Sequence, residues 1–181
     1  MTPEEYVQLK AFARQDGAFL SLLWIGGFAC YLRGLTNPVL GLAALMLLVV
    51  SPFFAANRLR HFRDDARNGV ISFLRGYAYT VLIFFYGGLL FCSAVYVYFA
   101  FLDNGYLSGM LTDMMNTEQG RQIAEMYGMA DQMEEGLDML TAMRPIDYAL
   151  NLLSLNISAG LLLGVPLALL MQRKGGMSFE L

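Results

Sequence analysis

Four long stretches of the chain are almost entirely apolar, with Arg33, at the end of the first, as the only charged residue in any of them. A helix of about 20 apolar residues crosses the hydrocarbon core of a bilayer. Helices on the surface of a soluble protein carry polar positions along one face, and these stretches lack such a face. We therefore predict four transmembrane spans, at about residues 17–34, 38–57, 76–102 and 148–172.

The segment before the first span has the pattern of a helix start. Thr2 is a suitable N-cap, Pro3 suits the first helical position, and Glu5 completes a capping box. Because Tyr6 and Leu9 then share one face, we expect a short interfacial helix that leads into the first span. The turn signal "TNP" at 36–38 makes the first two spans a helical hairpin.

The 103–147 connection between the third and fourth spans is too long for a loop without structure of its own. Its apolar positions from 126 onwards step by three or four residues, which predicts one face of an amphipathic helix. This stripe consists of Met126, Met129, Met133, Leu137 and Leu140. An earlier helical segment begins at Asn116 or Thr117, so we expect two short amphipathic helices here. The predicted fold is a single all-α membrane domain over residues 1–181, a bundle of four transmembrane helices.

Composition and charge agree with this layout. Of 181 residues, 57% are hydrophobic and 15% are charged, against about 45–50% and 25% in soluble domains. Positive residues accumulate on the cytoplasmic side of membrane proteins, which assigns both termini and the loop 58–75 to the cytoplasm and the acidic 103–147 connection to the outside. The cytoplasmic set is Lys10, Arg14, Arg58, Arg60, Arg63, Arg67, Arg75, Arg173 and Lys174. The outside set is Arg33, Arg121 and Arg144.

Small and polar residues recur at four-residue spacing in three of the spans. Such residues allow close helix approach in lipid, where apolar burial alone contributes little. The predicted packing positions are Gly26, Cys30, Gly34, Gly88, Cys92, Asn156, Gly160 and Gly164. A neighbouring face of the fourth span carries Asn151, Ser154 and Ser158. These three residues indicate either a polar path through the membrane or hydrogen bonds between helices.

Residues that carry chemistry are scarce. We find no ionisable residue deep in any span, which argues against an ion-coupled transporter. There are two cysteines and one histidine, and no phosphate loop, paired cysteines or metalloprotease motif occurs. We therefore expect no enzyme activity, no cofactor, no metal site and no nucleic-acid partner.

The methionine stripe has three interpretations. Thioether sulfur suits Cu(I), a flexible methionine face suits a protein partner, and an apolar stripe also rests on lipid or on the bundle. The segment has no His or Cys, so the copper hypothesis has the least support. The other two remain open.

The layout as a whole resembles the bacterial membrane proteins grouped as domain of unknown function 4199. The resemblance runs over about residues 5–174. It is carried by "FRDDARNGVISFLRG", "YVYFAFLDNGYL" and "RPIDYALNLL" followed by "GLLLGVPLALLMQRK". It implies four helices, a location in the bacterial inner membrane and no catalytic residue.

Two functional hypotheses follow. The first is a non-catalytic scaffold or accessory subunit of an envelope-related membrane complex, with membrane lipids and a protein partner or a second copy as its contacts. The alternative is a small-solute or ion channel or transporter that uses the polar face of the fourth span.

Overall fold

A computed structural model describes residues 2–173 and shows seven α-helices. They are α1 (Pro3–Gly34), α2 (Pro38–Ala66), α3 (Phe73–Phe101), α4 (Tyr106–Asn116), α5 (Glu118–Met126), α6 (Ala130–Ala142) and α7 (Pro145–Met171). Four of them, α1, α2, α3 and α7, are long and apolar enough to cross a membrane. The four predicted spans lie on these helices. The all-α, multi-pass layout expected from the sequence is therefore confirmed at this level, while Lys174 lies outside the described residues.

Helix α1 begins as the sequence predicts but has no break before the first span. The Thr2 hydroxyl accepts a hydrogen bond from the Glu5 amide at 3.3 Å, and Glu5 Oε2 accepts one from the Thr2 amide at 3.0 Å. The expected interfacial helix is instead the first part of one continuous helix, and its Leu9 and Ala13 side chains are fully buried. The reason is that Leu9, Ala13 and Leu20 follow one helical periodicity across the predicted boundary, and no helix breaker interrupts it.

Helix α2 is longer than its predicted span. Asn37 caps it by accepting the Val39 amide at 3.0 Å, and the helix continues to Ala66, nine residues beyond the predicted end at 57. Together with the start of α3 at Phe73, this extension makes most of the predicted loop 58–75 helical. The helix stops where Asn68 and Gly69 adopt left-handed φ angles of 50° and 79°, which Asn and Gly tolerate better than other residues.

The described residues form two compact units, and the chain passes between them within α3 and within α7. The first unit contains residues 2–92 and 152–173. Its helices approach closely at glycines: a Cβ added to Gly17 would lie 2.9 Å from the Gly87 nitrogen, and one added to Gly34 would lie 2.6 Å from the Gly41 Cα. Such contacts stabilise helix pairs in lipid through dispersion between backbones.

The predicted packing positions occupy different surroundings within the first unit. A Cβ added to Gly160 would lie 2.7 Å from the Phe84 Cβ, and one added to Gly164 would lie 2.9 Å from the Tyr77 ring. A Cβ added to Gly88 would meet Asn156 at 3.1 Å. By contrast, a Cβ on Gly26 would have no described heavy atom within 4 Å. Cys30 and Cys92 are free thiols of intermediate exposure.

The second unit, Ser93–Asn151, contains three short helices where the sequence predicts two. Thr117 caps α5 by accepting the Gly120 amide at 3.1 Å, as expected. Gly128 has a φ of 64° and separates α5 from α6. The methionine stripe is therefore not on one helix, because Met126 is the last residue of α5 and Met129 precedes α6. Both side chains are exposed, whereas Met133, Leu137 and Leu140 on α6 are half-buried.

Candidate functional site

The most unusual feature of the first unit is a buried ionic group, which we call the Asp16 network: Asp16, Arg58 and Tyr79. Asp16 of α1 is only 1% exposed. One of its carboxylate oxygens accepts a hydrogen bond from Arg58 Nε of α2 at 2.6 Å, and the other accepts one from the Tyr79 hydroxyl of α3. The network therefore joins three of the long helices through a single carboxylate.

Aromatic rings surround this network. The Phe62 ring stacks on Tyr79 with centroids 4.8 Å apart and an angle of 8° between planes. Phe12 packs against Phe62 at 5.4 Å, and the Arg58 guanidinium lies 5.8 Å from the centre of the Phe19 ring. Rings on several sides limit access of water, and a charged hydrogen bond is stronger where the local dielectric is low.

The Asp16 network lies alongside the apolar part of α3. The sequence alone did not predict this placement. Gly17, the next residue of α1, contacts backbone atoms of Ile83 and Gly87. These are at least seven residues inside the predicted span 76–102, or about 10 Å at the rise of an α-helix. Asp16 stands one residue before the predicted first span and Arg58 stands one residue after the predicted second span. The expectation that no ionisable residue lies deep in a span therefore stays a prediction.

A sequence signal for Asp16 did exist. The buried residues of α1 include Leu9, Ala13, Leu20 and Trp24, and Asp16 falls at the same three- to four-residue spacing. An acidic residue in register with an apolar face is a candidate for burial with a partner. The identity of that partner depends on which helices lie beside α1, and local periodicity does not carry this information.

Tyr79 stands near one end of the predicted third span, a position where tyrosine rings often lie at the membrane surface. In the structure, Tyr79 is fully buried and bonded to Asp16. A further buried contact joins α1 and α2: Trp24 Nε1 donates to the Ser51 hydroxyl at 2.8 Å.

A second ionic group lies nearer the start of α1, and we call it the Glu5 network: Glu5, Arg67 and Arg75. Arg67 Nη2 donates to Glu5 Oε1 and Arg75 Nη2 donates to Glu5 Oε2, both at 2.7 Å. Glu5 lies twelve positions before the apolar stretch that starts at Gly17. The hydrogen bond from Arg67 holds the pKa of the Glu5 carboxyl below its ordinary value, with help from the Thr2 amide.

Further contacts gather basic residues at the end of the first unit that contains Glu5. Arg63 Nε donates to Asp64 at 2.7 Å, and Arg63 Nη1 donates to the Met171 carbonyl at 3.3 Å. Ile71 and Arg173 exchange backbone hydrogen bonds of 3.1 and 3.0 Å as an isolated antiparallel bridge. The end of α7 is thereby attached to the connection between α2 and α3.

The polar residues of α7 are exposed or half-buried, and two of its asparagines bond to carbonyls of their own helix. Asn151, Ser154 and Ser158 are exposed, and the Asn151 side chain donates to the Asp147 carbonyl of its own helix at 2.9 Å. Asn156 is half-buried and donates to the Leu152 carbonyl at 2.9 Å. Each Asn side chain thus satisfies an amide proton within its own helix.

In chemical terms, the Asp16 network is a paired charge and not a set of free ligands. Both carboxylate oxygens are engaged, and the guanidinium and phenol that engage them come from different helices. Within residues 2–173 there is no group of three or more His, Cys, Asp or Glu side chains placed to hold a metal ion. The geometry can fix the relative positions of three helices, and it can hold one proton-binding group inside the unit.

Comparisons with known proteins identify the family of this chain. No curated protein and no solved structure matches the chain. One family profile does match, over residues 15–173, and this range includes the whole Asp16 network but not Glu5. The chain therefore belongs to the family described as protein of unknown function DUF4199.

Proposed function

We propose that this protein is a non-catalytic scaffold or accessory subunit of an envelope-related complex in the bacterial inner membrane, with both termini in the cytoplasm. The observation that carries the proposal is the exposed stripe of Ser154 and Ser158 on α7. A hydroxyl on the exposed face of a membrane helix can take part in a hydrogen bond with a second helix that covers it, in addition to a bond within its own helix.

The interior of the first unit supports a structural role. Its helices are in backbone contact at glycines, and its buried carboxylate is paired on both oxygens. Arrangements of this kind hold one packing geometry, because a change of helix register would leave a charge unpaired in an apolar surrounding. A rigid body with an exposed polar stripe is suited to hold another membrane protein, or a second copy of this chain, in place.

The face around the serines has the surroundings of a helix contact. Leu155 and Leu162, on the same length of α7, are 64% and 74% exposed. Aliphatic side chains beside two hydroxyls provide both the dispersion and the hydrogen bonds on which helix association in lipid depends.

Co-purification from native membranes in a mild detergent tests this proposal. The wild-type chain should bring a stoichiometric partner or a second copy, and Ser154→Leu with Ser158→Leu should lose it. Leucine suits contact with lipid, so this variant should still fold. The matched control is Leu42→Ala with Leu45→Ala, on the exposed face of α2, which should keep the partner. A wild-type monomer without any partner would overturn the proposal.

A second candidate function is transport of a small solute or ion, and the buried Asp16 favours it. Ionisable groups inside a membrane segment are a frequent mark of ion or proton pathways. If this candidate is right, purified protein in liposomes should support solute flux or a conductance that Asp16→Asn abolishes. Absence of flux across a broad panel of solutes and ions would exclude it.

A further inference from the structure

We propose that Arg67 and Arg75 bind the phosphate of an anionic phospholipid headgroup. This site is independent of the scaffold function proposed above, because it lies in the Glu5 network and does not involve the exposed serines of α7.

The Glu5 network has more positive than negative charge. Two guanidinium groups share one carboxylate, which leaves a formal charge of +1. The side chains of Arg67 and Arg75 are 19% and 17% exposed, so both are held in place and still reach the surface. The Oε2 atom of Glu5 also accepts the Thr2 amide at 3.0 Å, so both Glu5 oxygens are engaged.

The two arginines keep hydrogen-bond donors in reserve. Each donates to Glu5 through Nη2 alone, although a guanidinium has five N–H donors. The Nε atoms of both are buried without a hydrogen-bond partner among the described residues, so a ligand at the surface would meet the terminal nitrogens. The fork of a guanidinium fits phosphate oxygens in a bidentate arrangement. Two guanidiniums anchored on one carboxylate therefore form a fixed receptor for a phosphate that approaches from the exposed side.

The surroundings add positive potential. Arg75 is the third residue of α3, and the first turn of a helix favours anions. The neighbouring Arg63 and Arg173 face Asp64, which is already paired with Arg63 at 2.7 Å. Basic groups gathered between transmembrane helices at a membrane surface are a known form of lipid headgroup site.

A lipid, and not a soluble phosphate, is the ligand that fits the position. Arg75 comes directly before the apolar stretch of α3 that starts at Gly76, which places it at the level where headgroup phosphates lie. Leu74 and Val70, adjacent in sequence to this group, are 70% and 40% exposed. Exposed aliphatic side chains beside a phosphate site suit the glycerol and acyl chains of a lipid and offer nothing to a free anion.

Native mass spectrometry of the full chain in a neutral detergent tests the proposal. The probes are dioleoyl phosphatidylglycerol, dioleoyl phosphatidylcholine and inorganic phosphate. The wild-type chain should retain phosphatidylglycerol, with about tenfold weaker retention of phosphatidylcholine, because the latter's cationic headgroup offsets its phosphate. Arg67→Gln with Arg75→Gln should reduce phosphatidylglycerol retention by about tenfold.

Two further variants separate loss of the site from loss of the fold. Arg14→Gln with Arg60→Gln removes the same charge from exposed arginines and should leave retention unchanged. Glu5→Gln preserves the capping-box pattern and both arginines but removes the carboxylate that anchors the two guanidiniums, so it should also reduce retention. Equal retention of phosphatidylglycerol by the wild type and the Arg67/Arg75 variant would overturn the proposal. Retention of inorganic phosphate that matches phosphatidylglycerol would overturn it as well, because the site would then be one for a soluble anion.

Discussion

Asp16 and Arg58 form a cross-helix ion pair between α1 and α2, with the carboxylate buried and the guanidinium side chain 28% exposed. They are 42 positions apart in sequence. Each of them stands next to a predicted span, so each looks like an ordinary flanking residue when only its own helix is considered. The pairing exists because α1 and α2 form a hairpin, and residues 16 and 58 lie at nearly the same distance from the turn that joins the two helices.

Loss of one partner of this pair should destabilise the protein more than loss of both. Arg58→Met leaves the Asp16 carboxylate buried with no counter-charge, and removal of one member of a buried pair costs about 3–5 kcal/mol. We expect the lower end of that range, since Arg58 is partly exposed. Asp16→Leu with Arg58→Met should recover much of the loss. Thermal unfolding in detergent measures both, and a double variant no better than Arg58→Met would contradict this account.

Tyr79→Phe should weaken the same network without disturbing its packing. The variant keeps the ring that stacks on Phe62 and removes only the hydroxyl that donates to Asp16. A buried acceptor that loses its donor costs about 1–3 kcal/mol. Tyr77→Phe is the matched control, because the Tyr77 ring also stacks on a neighbour, Phe73, within α3. A similar fall in the unfolding midpoint for both variants would argue against a specific role for the Tyr79 hydroxyl.

Gly17→Leu should separate α1 from α3. Even the first added carbon would lie 2.9 Å from both the Gly87 nitrogen and the Tyr86 Cβ. Overpacking of this kind costs about 1–3 kcal/mol, and here the atoms in the way include backbone. Gly26→Leu is the control, since a Cβ at Gly26 meets nothing within 4 Å among the described residues. The two unfolding midpoints should differ clearly, and equal midpoints would show that the α1–α3 contact is looser than described.

The Glu5 network should make stability depend on pH under acidic conditions. The pKa of the Glu5 carboxyl in the folded protein lies below the ordinary value of 4.5, because Arg67 and the Thr2 amide favour the carboxylate. The folded state therefore binds this proton less readily than the unfolded state does. The stabilisation is present above the ordinary value and is lost as the pH falls through the folded pKa. Unfolding midpoints between about pH 6 and 3 should fall more steeply for the wild type than for Glu5→Gln.

The proposed topology, with both termini in the cytoplasm, predicts that positions 68 and 127 lie on opposite sides of the membrane. Asn68 lies between α2 and α3, and Tyr127 lies between α5 and α6. Single cysteines at these positions, introduced with Cys30→Ala and Cys92→Ala, should react with an impermeant reagent from opposite sides of the membrane. Cysteine 127 should react in intact cells and cysteine 68 only after the membrane is opened. Reaction of both in intact cells would contradict the layout.

Local signals account for the parts of the structure that the sequence predicted correctly. Apolar length located the four long helices, and the predicted caps Thr2 and Thr117 each begin a helix. These features depend on residues within one turn of each other, so a single sequence contains them. The number of short helices between 103 and 147 was wrong because α4, Tyr106–Asn116, was not predicted. The start of α6 was misplaced because the spacing of the methionines continues through Gly128, whose left-handed φ separates α5 from α6.

By itself, the sequence determined that this is an all-helical membrane protein and where most of its helices begin. Only the tertiary structure decided that Asp16, Arg58 and Tyr79 meet inside the bundle and that Glu5 holds Arg67 and Arg75. The physical reason is that the environment of a side chain near a span end depends on the lateral alignment of neighbouring helices. That alignment is set by close contacts such as Gly17 on Gly87 and Gly34 on Gly41. These contacts join residues far apart in sequence, and the hydrophobic pattern of each helix alone does not specify them.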